Sequence, residues 1–143
     1  IKGGGAAHLR EKIVANASRR MVAIMDDTKL VEVLGRFPLP LEIVPFAART
    51  TMRLAADAAA TSGCSSNFVR LRGGDAHPVI SDNGNLIADL DCGAIPDPEG
   101  LAAMLCAIPG LVEHGLFIGL CHTLVIGRPE GAEVIEPPPH PPE

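Results

Sequence analysis

Two prolines one residue apart, in Phe37-Pro38-Leu39-Pro40, divide this chain into stretches of different rhythm. Proline lacks the N–H that helices and strands use, so the segment reads as a boundary, outside either ladder. Beyond it, residues 41–44 read as a strand, and Pro45 is placed to open a helix through about Ala60. Residues 61–67 are loop and 68–71 a second strand. Residues 79–81 and 86–90 flank Asp82-Asn83-Gly84-Asn85, a hairpin signal because Asn-Gly accepts positive φ. A helix over 98–108, ended by Pro109-Gly110, leads to a strand over 111–118. Strand–helix–strand–strand–helix–strand is the split βαβ pattern, and it predicts a ferredoxin-like α+β lobe over residues 39–118.

The flanks read differently. Residues 6–20 carry Leu9, Ile13, Val14 and Ala17 on one helical stripe. Residues 21–25 form a short apolar run, expected as a buried strand ending at Asp26-Asp27-Thr28-Lys29, and 30–34 a helical turn closed by Gly35. Two further strands, 124–126 and 133–135, lie around Pro129-Glu130-Gly131. The expected organisation is an α/β segment over 1–38, the lobe over 39–118, a return to the α/β domain over 119–136, and a proline-rich tail over 137–143, extended or disordered.

Composition narrows the function classes. At 143 residues the chain fits one domain, or one with a small appended lobe. Hydrophobic residues at 47% and charged ones at 20% exclude a disordered tail and a coiled coil. Aromatic residues are 3%, with neither Trp nor Tyr, so a stacking platform for single-stranded nucleic acid has little to be built from. No apolar run reaches the length of a transmembrane helix. Neither a nucleic acid nor a membrane is expected as partner. Residues 1–36 hold seven basic groups against four acidic ones within a chain of net charge −5, which hints at a small anionic ligand. The four cysteines at 64, 92, 106 and 121 lack zinc-binding spacing, so no metal is expected. Cys106 and Cys121 read as small core hydrophobes, and the chain as reduced and cytoplasmic.

Lys2-Gly3-Gly4-Gly5 followed at once by a helix makes a natural anion or oxyanion site. Free N–H groups and the macrodipole favour negative charge there, and glycines let a ligand touch the backbone. It is neither a Walker A loop nor G-x-G-x-x-G, and a flexible terminus would look similar. Glu11 lies on a helix face with Ala7 and Ala15, where small apolar neighbours leave room for a substrate and would partly desolvate the carboxylate, as a base requires. By spacing alone it reads as a surface residue more readily than as a catalyst. Lys29 follows a strand end, where α/β proteins place ligand-binding groups, or is an exposed loop lysine. The chain begins with Ile1, and its glycine loop has no strand before it, so a further segment upstream is expected.

Lys2-Gly3-Gly4-Gly5-Ala6-Ala7 with Arg10-Glu11-Lys12-Ile13 resembles the signature of type A ribose-5-phosphate isomerase. Three further stretches agree in order and spacing: Leu34-Gly35-Arg36-Phe37-Pro38-Leu39-Pro40, Ser81-Asp82-Asn83-Gly84-Asn85, and Ile108-Pro109-Gly110-Leu111-Val112-Glu113-His114-Gly115-Leu116-Phe117. The resemblance implies a Rossmann-like three-layer domain carrying the inserted lobe, with this chain as the C-terminal two-thirds. It implies Glu11 as the catalytic base, Lys2, Gly3, Gly4 and Gly5 as a substrate-binding loop, and Lys29 as a substrate-binding lysine. It further implies interconversion of ribose 5-phosphate and ribulose 5-phosphate through an enediolate in the pentose phosphate pathway, without metal or other cofactor, by a cytoplasmic homodimer. Thr28 stands where the family more often has Ser, and the family's Thr/Ser-rich phosphate loop and Asp-Gly-Ala-Asp stretch do not occur in this sequence. The alternatives are a non-catalytic C-terminal fragment acting in self-association, and a related sugar-phosphate enzyme such as a deaminase.

Overall fold

A computed structural model describes residues 1–136. In chain order it contains α1 (His8–Ala17), β1 (Val22–Asp26), a 3-10 turn (Asp27–Lys29), β2 (Leu39–Ile43), α2 (Ala48–Thr61), β3 (Phe68–Leu71) and β4 (Leu86–Asp91). There follow α3 (Pro98–Cys106), β5 (Leu111–His114), β6 (Thr123–Arg128) and β7 (Gly131–Ile135). The fold is mixed α/β, with two sheets and three helices among the described residues.

The first sheet has the order β3-β4-β2-β5, with every neighbouring pair antiparallel. Strand β4 thus separates β2 from β3, and β2 separates β4 from β5, giving the two interleaved split βαβ units that the element order predicts. Side chains alternate along β2. Leu39, Leu41 and Ile43 face α2 and α3, where Ala55, Ala58, Ala59, Leu101 and Leu105 complete a core with Ala88 and Leu90. The small alanines let α2 settle closely on the sheet, and each fully buried leucine contributes about 1.5–3 kcal/mol. Pro40 and Glu42 project from the other face. There they meet the start of the chain: His8 is buried, and a Cβ on Gly3 would meet both Pro40 and His8. The glycine loop therefore rests on the small-lobe sheet.

The second sheet has the order β1-β6-β7, with β1 parallel to β6 and β6 antiparallel to β7. Ile126 is fully buried in it, while Ile24 on β1 is 79% exposed.

Several sequence expectations are corrected. Strand β1 is half-exposed along its length, not buried. Helix α1 starts only at His8, because Ala6 has a left-handed backbone (φ 64°) that no helix continues. Its buried residues are His8 and Ala15, whereas Ile13 and Val14 point outward, so the apolar stripe is not the covered face. Residues 30–34 form no helical turn; the chain there is extended enough for Leu34 to bridge Ile95. Residues 79–81 make a single bridge, Ile80 to Leu86, in place of a strand. Cys106 is exposed and Cys121 half-buried, and Cys92 is the thiol in the core. The expected tail at 137–143 lies outside the described residues.

Pro40 also sits inside β2, against the proline rule. Its carbonyl accepts from the Gly115 N–H at 2.8 Å, but Pro40 has no N–H to return. The Gly115 carbonyl instead accepts from the Lys2 N–H, also at 2.8 Å. The lost ladder bond thereby becomes the anchor of the glycine loop.

Candidate active site

The loop before α1 is a tight turn in which the Ala6 N–H donates to the Gly3 carbonyl at 3.0 Å. Gly3 has φ 105° and no room for a side chain. The N-cap residue Ala7 supplies no side-chain hydrogen bond, so the first N–H groups of α1 remain uncapped. One helical turn on, Glu11 Oε2 lies 3.6 Å from Lys2 Nζ, with both side chains about two-fifths exposed. An open cleft of about 500 Å³ runs past this pair and is lined further by Arg10, Val14, Ala15 and Arg20. Water reaches the Glu11 carboxylate more freely than its alanine neighbours imply.

Lys2 Nζ also stands 5.7 Å from the Phe117 ring centroid, and Lys12 Nζ stands 5.3 Å from it. The ring holds both ammonium groups by cation–π attraction. Lys12 is already committed, bonding Glu113 Oε1 at 2.5 Å and the His114 carbonyl at 2.7 Å. Burial would raise the Glu113 pKa, but the Lys12 ammonium and the His114 N–H outweigh it and hold the carboxyl below its ordinary value. Lys2 is thus the cation left beside Glu11.

Arg10 turns away to the hairpin, where it bonds Asp82 and Asn83. Glu42, fully buried, accepts from Ser81 Oγ at 2.7 Å, Asn83 Nδ2 at 3.0 Å and Asn85 Nδ2 at 2.9 Å. Burial pushes the Glu42 pKa up, yet these three donors prevail and keep it lowered. His8, beneath the loop, has its pKa lowered chiefly by burial, and its Nε2 lies 3.3 Å from the Glu113 carbonyl.

The structure therefore brings Lys2 and Glu11 together on the cleft, while Gly3, Gly4 and Gly5 form the turn that follows Lys2 and do not line that cleft. Lys29 stands apart. It closes the 3-10 turn after β1, is exposed, and neither lines the cleft nor bonds Lys2 or Glu11. Asp26 caps that turn through the Thr28 N–H and hydroxyl, and the hydroxyl bond lowers the Asp26 pKa. Sequence reasoning assigned no role to Arg72 and Gly115, which hold the loop backbone, or to Phe117, which faces the Lys2 ammonium, although the last two stand in a stretch that carries the resemblance. Phe117 carried the clearest signal, as one of only four phenylalanines in the chain. Among the described residues no cluster of His, Cys, Asp and Glu is placed to hold a metal ion, and no helix is long and apolar enough to cross a membrane.

Comparison with known proteins gives a concordant result. The family model for ribose 5-phosphate isomerase A (phosphoriboisomerase A) matches residues 1–131. A ribose-5-phosphate isomerase A of Rhodopseudomonas palustris is 48% identical over 136 residues, covering 95% of this chain and 59% of the relative. One of Methylorubrum extorquens is 52% identical, covering 92% and 56% respectively. The solved structure of ribose 5-phosphate isomerase A from Methanocaldococcus jannaschii superposes with a TM-score of 0.82 at 36% identity, over 96% of this chain and 58% of that one. A D-ribose-5-phosphate isomerase solved in complex with phospho-erythronic acid gives a TM-score of 0.83 at 31% identity, over 96% of this chain and 58% of its own. The chain thus spans about three-fifths of the relatives it matches, and it belongs to the ribose 5-phosphate isomerase A family.

Proposed function

We propose that the protein carrying this chain is an aldose–ketose isomerase that interconverts ribose 5-phosphate and ribulose 5-phosphate, a step of the pentose phosphate pathway. The observation that carries this reading is the Lys2–Glu11 pair, 3.6 Å apart on an open cleft beside an uncapped helix start. The Glu11 carboxylate takes the proton from C2 of the open-chain aldose. The C–H electron pair becomes the C1=C2 bond, and the carbonyl pair moves onto O1. The new carboxylic acid then returns the proton to C1, while the O2 hydroxyl proton passes to the O1 oxyanion, leaving O2 as the ketone oxygen and O1 as a hydroxyl. Lys2 and the N–H groups of Gly3, Gly4 and Gly5 face the oxygen on which charge develops, and Lys29 serves as a charge for the substrate's anionic end. The relative that holds phospho-erythronic acid supports a phosphorylated sugar chain as ligand. We assign residues 1–38 and 119–136 to the catalytic domain and 39–118 to the inserted lobe, in a cytoplasmic homodimer that uses no cofactor.

Glu11→Gln in the full-length protein tests the assignment. A placed base is worth about 10²–10⁴ in rate, so kcat is expected to fall by that factor with KM little changed. A variant retaining a tenth or more of the wild-type rate would remove Glu11 from the role. A second reading, a non-catalytic fragment acting in self-association, is favoured by the exposed apolar side of β1, where Ile24 and Val22 stand open. It requires the 143 residues alone to show no isomerase activity and to sediment as a concentration-dependent oligomer.

A further inference from the structure

The carbonyls of Gly3 and Gly4 both point at one side chain. Arg72 Nη1 donates to Gly3 O at 2.9 Å and to Gly4 O at 3.0 Å. The remaining edge of the same guanidinium is gripped by Asp89, which accepts from Nη2 at 2.6 Å and Nε at 3.1 Å. Both side chains are more than four-fifths buried. Their backbones are fixed as well: Asp89 lies mid-strand in β4, and Arg72, just past β3, donates its N–H to the Ile87 carbonyl and accepts from the Val79 N–H. Only a guanidinium has a planar fork that spans a carboxylate and two carbonyls at once.

The consequence for the loop follows from peptide geometry. Among the described residues no peptide bond is cis, and in a planar trans peptide the C=O of one residue points opposite to the N–H of the next. With the Gly3 and Gly4 carbonyls held toward Arg72, the N–H groups of Gly4 and Gly5 point away from the small-lobe sheet. Among the described residues those two N–H groups donate to no protein acceptor, and a Cβ on Gly5 would meet open space. Two free donors are thereby aimed outward from the loop that carries Lys2.

We propose that Arg72, braced by Asp89, is a positioning residue that fixes the peptides of Gly3 and Gly4 so that the Gly4 and Gly5 N–H groups meet the oxygen on which charge develops. The inference rests on the isomerase reading above and adds to it a residue from the inserted lobe that touches no reacting atom. It also gives that lobe a part in catalysis, since the brace lies in β4 and the guanidinium comes from the residue just past β3.

Two variants of the full-length protein, Arg72→Met and Asp89→Asn, test it alongside wild type. One oxyanion donor is worth about 10²–10³ in kcat. Loosening two donors without deleting them is expected to lower kcat about 10–100-fold in Arg72→Met, with KM changed less than about threefold. Asp89→Asn, which leaves the guanidinium in place but weakens its brace, gives a smaller loss of the same kind. Arg72→Lys does not restore the rate, because an ammonium cannot span both carbonyls and Asp89. Amide hydrogen exchange at Ala6, whose N–H bonds the Gly3 carbonyl that Arg72 holds, accelerates in Arg72→Met. A lower melting temperature with kcat unchanged, or a raised KM with kcat unchanged, overturns the proposal. Should wild type itself lack isomerase activity, the isomerase reading fails separately, and unaltered Ala6 exchange in Arg72→Met would then still count against the positioning role.

Discussion

At His114 a buried imidazole is surrounded on all sides by committed groups. Its Nδ1 accepts from the Leu116 N–H at 3.2 Å and lies 3.4 Å from Lys12 Nζ, while Nε2 lies 3.5 Å from the exposed Cys106 thiol. A backbone N–H donating to Nδ1 requires that nitrogen to be unprotonated, so the proton of the neutral ring sits on Nε2. Burial, reinforced by the Lys12 ammonium and opposed by Glu113, lowers the His114 pKa to about 4. An unfolded histidine titrates near 6.5. As pH falls through that value the unfolded chain takes up its proton first, and the folded chain does so only near 4. The stability tied to neutral His114 is thus complete above about pH 6.5 and is lost progressively down to about pH 4. His8, also lowered by burial, adds a slope of the same sign. Urea denaturation from pH 7 to pH 4 should show falling unfolding free energy, with a shallower slope in His114→Gln. An identical slope in that variant would mean that His114 is not kept neutral by the fold.

The hairpin over residues 81–85 shows what an element reveals before its neighbours are known. Asn83-Gly84 announces the turn locally, because Gly84 takes φ 80° whatever surrounds it. The alternating apolar pattern of β2 and β4 and the Pro-Gly stop after α3 are equally local signals, which is why the split βαβ lobe is legible from residues alone. What the hairpin is for is not local. Ser81, Asn83 and Asn85 converge on Glu42, a residue some forty positions earlier, and Asp82 receives Arg10 from α1. Helix α1 was illegible for the same reason. A periodicity argument assigns its bulky Ile13 and Val14 to the core, yet the covered residues are His8, which fits beneath the glycine turn beside Pro40, and the small Ala15. At the candidate site the motif pointed to Lys2 and Glu11, while Arg72, lying in another element, carried no mark in the sequence. Glu42→Leu removes the acceptor of three donors at once. A buried donor left unsatisfied costs about 1–3 kcal/mol, and part of the hairpin can turn to water, so an overall loss of about 3 kcal/mol is expected in urea denaturation. Glu42→Gln, which keeps one acceptor oxygen, should lose clearly less. Equal losses would mean that volume, not hydrogen bonding, sets the cost.

Across the whole molecule the excess of basic groups in residues 1–36 is largely answered by acids from the remainder. Arg10 pairs with Asp82, Lys12 with Glu113 and Arg20 with Glu136. These contacts tie α1 and the segment after it to later parts of the chain, although exposed pairs contribute only about 0–1 kcal/mol each. Apolar burial is distributed far less evenly. The four-stranded sheet and its two helices hold almost all the fully buried hydrophobic side chains, whereas the three-stranded sheet contributes Ile126 and leaves Ile24, Val22 and Val134 open. Segments with few buried apolar contacts open locally at a fraction of the global unfolding free energy. Native-state hydrogen exchange on the 143-residue chain should accordingly find the amides of β2 and β4 exchanging only through global unfolding, and those of β1, β6 and β7 exchanging at least about tenfold faster through local opening. Because α1 contacts the four-stranded sheet through His8 and Lys12, its hydrogen-bonded amides at Glu11 and Lys12 should follow the protected group and those of its last turn the open one. Equal protection in both sheets would show that the exposed strands are held by cooperativity the burial pattern does not reveal, and the glycine loop would then belong to a single unit spanning both sheets.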